Sequence, residues 1–87
     1  MPTGVKVLYF AWLRQRVGRA EEDVSPPSGV ADVGGLMRWL AASSPGHASA
    51  FENPAQVRMA VNQEFCGPEH PVKAGDEVAF FPPVTGG

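Results

Sequence analysis

The sequence predicts an α+β fold in which one amphipathic helix covers one face of a β-sheet. Stretches rich in β-branched and aromatic residues, which favour strands, lie in both halves of the chain between clusters of turn residues. Between them, one segment has apolar residues at the i, i+3, i+4 and i+7 spacing of a helix. The predicted order is strand, strand, helix, strand, short strand, strand, and the helix must bury its apolar stripe against the sheet. This order by itself leaves several α+β topologies open.

The first strand is predicted at residues 5–10. Its period of two separates the side chains into two sets. One face carries Val5, Val7 and Tyr9, and the other carries Lys6, Leu8 and Phe10.

A short amphipathic turn of helix is predicted at residues 11–17, ending at Gly18, a residue type favoured just past helix ends. Residues 21–24 can then return antiparallel beside the first strand. Their acidic cluster, Glu21, Glu22 and Asp23, is expected to be a solvated strand edge.

The main helix begins after Asp32, a residue type favoured at the N-cap. Its apolar stripe consists of Val33, Leu36, Met37 and Leu40. Gly34 and Gly35 each cost up to ~1 kcal/mol against alanine inside a helix. Their place in the first turn predicts a close approach to a strand.

Residues 43–53 carry weak signals. Pro45 and Gly46 are expected to break the helix, with one more turn at residues 48–52. His47 is expected at the surface, and no second ligand is spaced to form a metal site with it. The same reasoning applies to His70, so no metal site is expected.

Three strands complete the predicted sheet, at residues 56–62, 64–66 and 77–81. Clean alternation in the first of them places Val57, Met59 and Val61 on one face. Asn62 and Gln63 form the turn to the short strand, and Gly75 belongs to the turn before the last strand.

Composition restricts the class of protein. A chain of 87 residues forms one domain, and its net charge of −2 gives no basic patch for nucleic acid. No apolar run approaches the ~20 residues of a membrane span, and no basic region precedes an apolar stretch as in a secretory signal. The single cysteine, Cys66, fits a reducing compartment, so we expect a cytoplasmic protein without a membrane partner.

The last strand runs into Pro82 and Pro83, which cannot continue a ladder because neither has an N–H group. Residues 82–87 are therefore expected to form an extended C-terminal tail: Val84 and Thr85 lead to Gly86 and Gly87. Two glycines lack Cβ atoms and have free backbone torsions, so they can carry a carboxylate through a narrow channel. Such a tail suits a chain whose α-carboxylate another enzyme activates.

Residues 75–87, GDEVAFFPPVTGG, resemble the C-terminus of the small subunit of molybdopterin synthase, a family of ubiquitin-like sulfur carriers. Further similar stretches are VLYFA at residues 7–11 with Arg14, Val17 and Gly18, and AVNQ at residues 60–63. The resemblance covers nearly the whole chain, and the tail is its most specific part. It implies a β-grasp fold: a mixed sheet of four to five strands, with the first and last strands adjacent at its centre and one main helix on one face.

The resemblance also implies a chemical cycle. An adenylating enzyme, similar to those that activate ubiquitin, would use ATP to adenylate Gly87. Sulfur attack would then produce a thiocarboxylate, which the large synthase subunit uses to build the dithiolene of molybdopterin within a heterotetrameric enzyme. This chain would bind no cofactor itself and would be a sulfur-donating subunit without catalytic groups of its own.

Strand alternation adds a candidate partner surface. If Phe80 points at the helix, Phe81 points to the opposite face of the sheet, where Phe10 also lies. Phe65 joins this set by the resemblance, since alternation on so short a strand decides nothing. These three residues, the aromatic patch, are predicted to bind the large subunit.

Two alternatives remain open at this stage. One is a carrier of the same fold that serves thiamine synthesis or tRNA thiolation. The other is a protein modifier that forms isopeptide bonds through Gly87. No catalytic triad or phosphate-binding loop is recognisable in the sequence.

Overall fold

The computed structural model describes residues 4–83. The elements are β1 (Val5–Tyr9), α1 (Ala11–Val17), β2 (Glu21–Val24), α2 (Val33–Ala41), α3 (Pro45–Ala50), a 3₁₀ turn (Pro54–Gln56), β3 (Arg58–Val61), β4 (Glu64–Cys66) and β5 (Glu77–Phe81). The bounds of α1, β2, β4 and β5 agree with the prediction. None of the helices in this described part is long and apolar enough to cross a membrane.

The strands form one mixed sheet in the order β2-β1-β5-β3-β4. β1 and β5 are parallel, with Val7 opposite Val78 and Tyr9 opposite Phe80. The other neighbouring pairs are antiparallel. The first and last strands are therefore adjacent inside the sheet, as the resemblance implies, and β5 is its central strand.

The core lies between this sheet and α2. Val33, Leu36 and Leu40 of the helical stripe are almost completely buried. They share one apolar cluster with sheet residues that include Val7, Val57 and Phe80. The N–H group of Gly35 donates to the Asp32 side chain at 2.7 Å, which confirms the predicted N-cap.

Gly34 of α2 approaches a loop, and the prediction of a close approach to a strand was wrong. A Cβ on Gly34 would lie 3.2 Å from both the side chain and the carbonyl oxygen of Pro68, in the loop after β4. The Gly34 N–H group donates to that same oxygen at 2.7 Å. Gly34 is thus a contact point between the helix and a loop.

The segment that precedes β3 differs most from the prediction. Pro45 starts α3, because Ser44 accepts a hydrogen bond from the His47 N–H group as an N-cap and proline suits the first helical position. A Cβ on Gly46 would lie 2.6 Å from the carbonyl oxygen of Arg16, so α1 and α3 touch at this glycine. The expected strand at residues 56–62 is shorter, since the 3₁₀ turn occupies its first residue.

Candidate functional site

Strand β5 brings the base of the tail to one end of the sheet. Phe80 is fully buried beneath the sheet, and the alternation places Phe81 on the opposite, open face. The Phe10 N–H group donates to the Phe80 carbonyl at 3.1 Å, and Phe81 pairs with Arg58 of β3. The chain therefore leaves the sheet between the ends of β1 and β3. The predicted tail residues Val84, Thr85, Gly86 and Gly87 lie outside the described residues.

The aromatic patch lies on the open face. Phe65 is opposite Ala60 in the ladder, and Ala60 is opposite Ala79 of β5, so the side chains of Phe65, Ala60 and Ala79 share one face. Phe81, two residues after Ala79, lies on the same face. The rings of Phe65 and Phe81 contact each other with centroids 5.7 Å apart. Phe65 is 84% exposed, and Phe10, at the end of the strand next to Phe81, is 48% exposed. Contiguous exposed apolar patches, as the contacting rings of Phe65 and Phe81 form here, are typical of partner-binding surfaces.

A hollow of about 250 Å³ adjoins the patch and is lined by Arg58, Met59, Phe65, Cys66 and Phe81. Burial raises the pKa of the Cys66 thiol, and the Glu69 carboxylate raises it further. A cysteine of this kind is a poor nucleophile at neutral pH, because the thiolate is the reactive form.

The structure also contains a buried hydrogen-bond network that the sequence did not reveal. The carboxylate of Glu22 accepts from the Tyr9 hydroxyl and lies 2.6 Å from His47 Nε2. On the other side of the ring, His47 Nδ1 lies 2.6 Å from the Ser44 hydroxyl. We call these four residues the Tyr9–Glu22–His47–Ser44 network. It joins β1, β2 and α3.

Two expectations were wrong here. His47 is only 8% exposed, in contrast to the predicted surface position. Glu22 does not belong to a solvated edge, since strand alternation turns it inward while Glu21 and Asp23 remain exposed. A helix-start signal, Ser44 followed by Pro45, was present in the sequence and could have placed His47 in the first turn of α3.

The network shifts the acidity of its members. Burial of Glu22 favours its neutral form, but the hydrogen bonds from Tyr9 and His47 outweigh that effect and hold the pKa of Glu22 below its usual value. Burial and the adjacent Glu22 carboxylate raise the pKa of Tyr9 far above its usual range. Glu22 therefore stays ionised and Tyr9 protonated at neutral pH.

A serine, a histidine and a carboxylate in line resemble a hydrolase triad, but their surroundings indicate a structural role. The Ser44 hydroxyl is already the N-cap acceptor of α3, at 3.1 Å from the His47 N–H group. The histidine edge also packs against the ring of Tyr9, with centroids 6.0 Å apart. Within residues 4–83 no three histidine, cysteine or acidic side chains are grouped to hold a metal ion.

Comparison with known proteins places this geometry in a family. A family model described as the ThiS family matches residues 7–87. The chain belongs to the ThiS family. The molybdopterin synthase sulfur carrier subunit of Escherichia coli is 43% identical to it over 83 residues, which cover 95% of this chain and 99% of that protein.

Solved structures of similar proteins confirm the β-grasp fold. The putative molybdopterin converting factor subunit 1 of Pyrococcus furiosus superposes with a TM-score of 0.77 at 33% identity, over 94% of this chain and 99% of that one. The small archaeal modifier protein 1 of Haloferax volcanii gives 0.74 at 26% identity, over 94% and 99% of the two chains. The resemblance to molybdopterin synthase small subunits is thus confirmed in sequence and in fold.

Proposed function

We propose that this chain is the sulfur carrier subunit of a molybdopterin synthase. The observation that carries the proposal is the nearly end-to-end relation to sulfur carrier subunits, at 43% identity over 95% of this chain. The structure adds a strand, β5, whose end lies at the rim of an exposed aromatic face.

The chemistry resides in the proposed terminal carboxylate of Gly87. A carboxylate is a weak electrophile at neutral pH, because its charge repels nucleophiles and oxide is a poor leaving group. ATP supplies a leaving group: the carboxylate displaces pyrophosphate and becomes an acyl adenylate. Hydrosulfide then displaces AMP and loses its proton, and the resulting thiocarboxylate carries its charge largely on sulfur. The adenylating enzyme performs these steps and the large synthase subunit consumes the sulfur.

The aromatic patch serves as the docking surface for the large subunit in this proposal. Aromatic side chains at the centre of an interface contribute disproportionately to affinity once water is excluded. Phe65 and Phe81 already contact each other, so their docking surface is formed before the partner arrives. Less ordering is then required on binding.

Intact mass tests the proposed role of Gly87. The chain is incubated with ATP, the adenylating enzyme and a sulfur source, and wild type should gain the mass difference between one sulfur and one oxygen, localised to Gly87 by fragmentation. A variant with one residue added after Gly87 moves the reactive carbon by ~3.3–3.6 Å. A reaction that requires attack distances near ~3–3.5 Å does not tolerate such a displacement, so the extended variant should not be thiolated. If the extended variant is thiolated and supports molybdopterin formation like wild type, the terminal carboxylate is not the working group.

Calorimetric titration with the large subunit tests the aromatic patch. Phe81→Asp should abolish binding while the isolated domain stays folded, because it places a charge in a dry interface. Phe65→Asp is a second variant. The Phe65 side chain is so exposed that its replacement should cost the isolated domain little stability. Ala74→Asp adds the same charge on an exposed turn at the far end of the sheet and should bind normally. Undiminished binding by both phenylalanine variants would remove this surface from the proposal.

A protein modifier is the second candidate function, favoured by the structural likeness to the small archaeal modifier protein 1. In that case Gly87 would form isopeptide bonds with lysines of other proteins. Such conjugates survive denaturation and thiol reagents, whereas a thiocarboxylate carrier leaves none. A denaturing gel of cells that express a tagged chain therefore separates the two functions.

A further inference from the structure

A groove lies between α1 and the 3₁₀ turn, beyond the end of the sheet where β5 finishes. It encloses about 320 Å³, and we call it the Trp12 groove. Its lining residues are Trp12, Arg16, Ala50, Glu52, Asn53 and Gln56.

The topology places the Trp12 groove beside the base of the tail. β5 lies between β1 and β3 in the sheet. The chain that follows β1 is α1, which contains Trp12, and the chain that precedes β3 is the 3₁₀ turn, which contains Gln56. Both elements therefore flank the point at which Pro82 leaves the sheet. Ala50 of α3, which lines the groove, belongs to the core on the helix-covered face of the sheet, whereas the aromatic patch lies on the other face.

The walls of the groove are held in place before any partner binds. The Arg16 guanidinium lies 4.8 Å from the centre of the Trp12 ring, a cation–π arrangement. The same group donates to the Ser49 carbonyl at 3.0 Å and to Glu52 at 3.3 Å, which ties α1 to the chain around the end of α3. At the start of α1, Ala11 has a left-handed backbone with φ 54°. That conformation is unfavourable for a residue with a Cβ, and such strain concentrates at functional sites.

The lining indicates which kind of group would occupy the groove. Arg16 and Glu52 form an ion pair, so their charges largely cancel and give little attraction to a phosphate or a carboxylate. The side-chain amides of Asn53 and Gln56 can each donate and accept hydrogen bonds, as a peptide backbone does. The half-buried Trp12 ring adds apolar surface beside them.

From these features we propose that the Trp12 groove receives an uncharged, extended polypeptide segment of the large subunit. A channel that encloses the tail must surround its base, and the aromatic patch covers only one side of that base. The groove provides the contact on the other side, so the partner grips the domain from both faces. This inference rests on the proposed function.

Binding of the large subunit to matched double variants tests the inference. N53E/Q56E puts two carboxylates at exposed positions of the groove, where the Asn53 side chain makes no capping hydrogen bond. S28E/Q63E adds the same charge at exposed positions at the opposite end of the sheet. The groove variant should bind about tenfold or more weakly, mainly through faster dissociation, because an interface must desolvate the new charges. The far-end variant should bind within about twofold of wild type.

Hydrogen exchange on the wild-type complex provides a second measurement. Amides of residues 11–16 and 53–56 should be protected by the large subunit, together with those of the aromatic patch. If the two double variants bind with equal affinity, or if these residues are not protected, the groove is not a contact site for the large subunit. The proposed function would still stand in that case, provided that wild type is thiolated at Gly87 and binds the large subunit. If wild type is neither thiolated nor bound, both proposals fall together.

Discussion

Glu22→Ala is expected to destabilise the domain far more than the neighbouring Glu21→Ala. Each substitution removes one carboxylate from the same strand, so the two variants are matched in charge and in secondary structure. Glu21 forms an exposed ion pair with Lys6 at 3.0 Å, and such a pair contributes little to stability because solvent screens it. The difference between the variants therefore reports on the buried network.

The magnitude follows from the hydrogen bonds of Glu22. Its Oε2 atom lies 2.6 Å from both the Tyr9 hydroxyl and His47 Nε2. Removing this acceptor leaves two buried polar groups without their partner, at about 1–3 kcal/mol each. We expect a loss of about 2–6 kcal/mol, out of a total stability of about 4–13 kcal/mol for a domain of this length.

Urea unfolding of both variants at pH 7, followed by circular dichroism, measures the loss. Glu22→Gln provides a pH test, because it removes the charge and keeps an acceptor oxygen. The lowered pKa of Glu22 means that the ionised carboxylate stabilises the folded state above the unfolded pKa of about 4.5. That contribution disappears as the pH falls through the lower pKa of the folded state, so wild type and Glu22→Gln should converge in acid. A Glu22→Ala variant no less stable than Glu21→Ala would refute the reasoning.

Three further predictions concern the core, a helix contact and the cysteine. Leu36→Ala should lower the free energy of unfolding in urea by about 2–5 kcal/mol, because Leu36 is fully buried. A decrease below about 0.5 kcal/mol would show that the orientation assigned to α2 is wrong. Gly46→Ala should cost about 1–3 kcal/mol by forcing α1 and α3 apart, whereas Gly29→Ala, whose Cβ would meet nothing within 4 Å, serves as a neutral control. Cys66→Ser should retain sulfur transfer in a reconstituted assay, because its thiol is held protonated; loss of transfer would favour a cysteine persulfide route.

Local sequence signals predicted most of the secondary structure because their physical causes are local. Alternation with a period of two follows from strand geometry, and it grouped Val5, Val7 and Tyr9, all buried in the structure, on one face before any pairing was known. Asp32 capped α2 through the N–H group three residues along, a contact that the spacing alone specifies. The parallel pairing of β1 with β5 came from the resemblance, since alternation carries no information on strand order.

By itself the sequence determined the α+β class and which side chains of the long strands share a face. Only the tertiary structure decided where residues distant in sequence meet. The ladder between β3 and β4 placed Phe65 opposite Ala60, and Phe65 therefore lies on the open face. Packing of α3 brought His47 to Glu22, 25 residues away, and turned an expected surface histidine into a buried one. The physical reason is that such contacts depend on the pairing register and on how loops return the chain, both of which are set by the simultaneous packing of several elements.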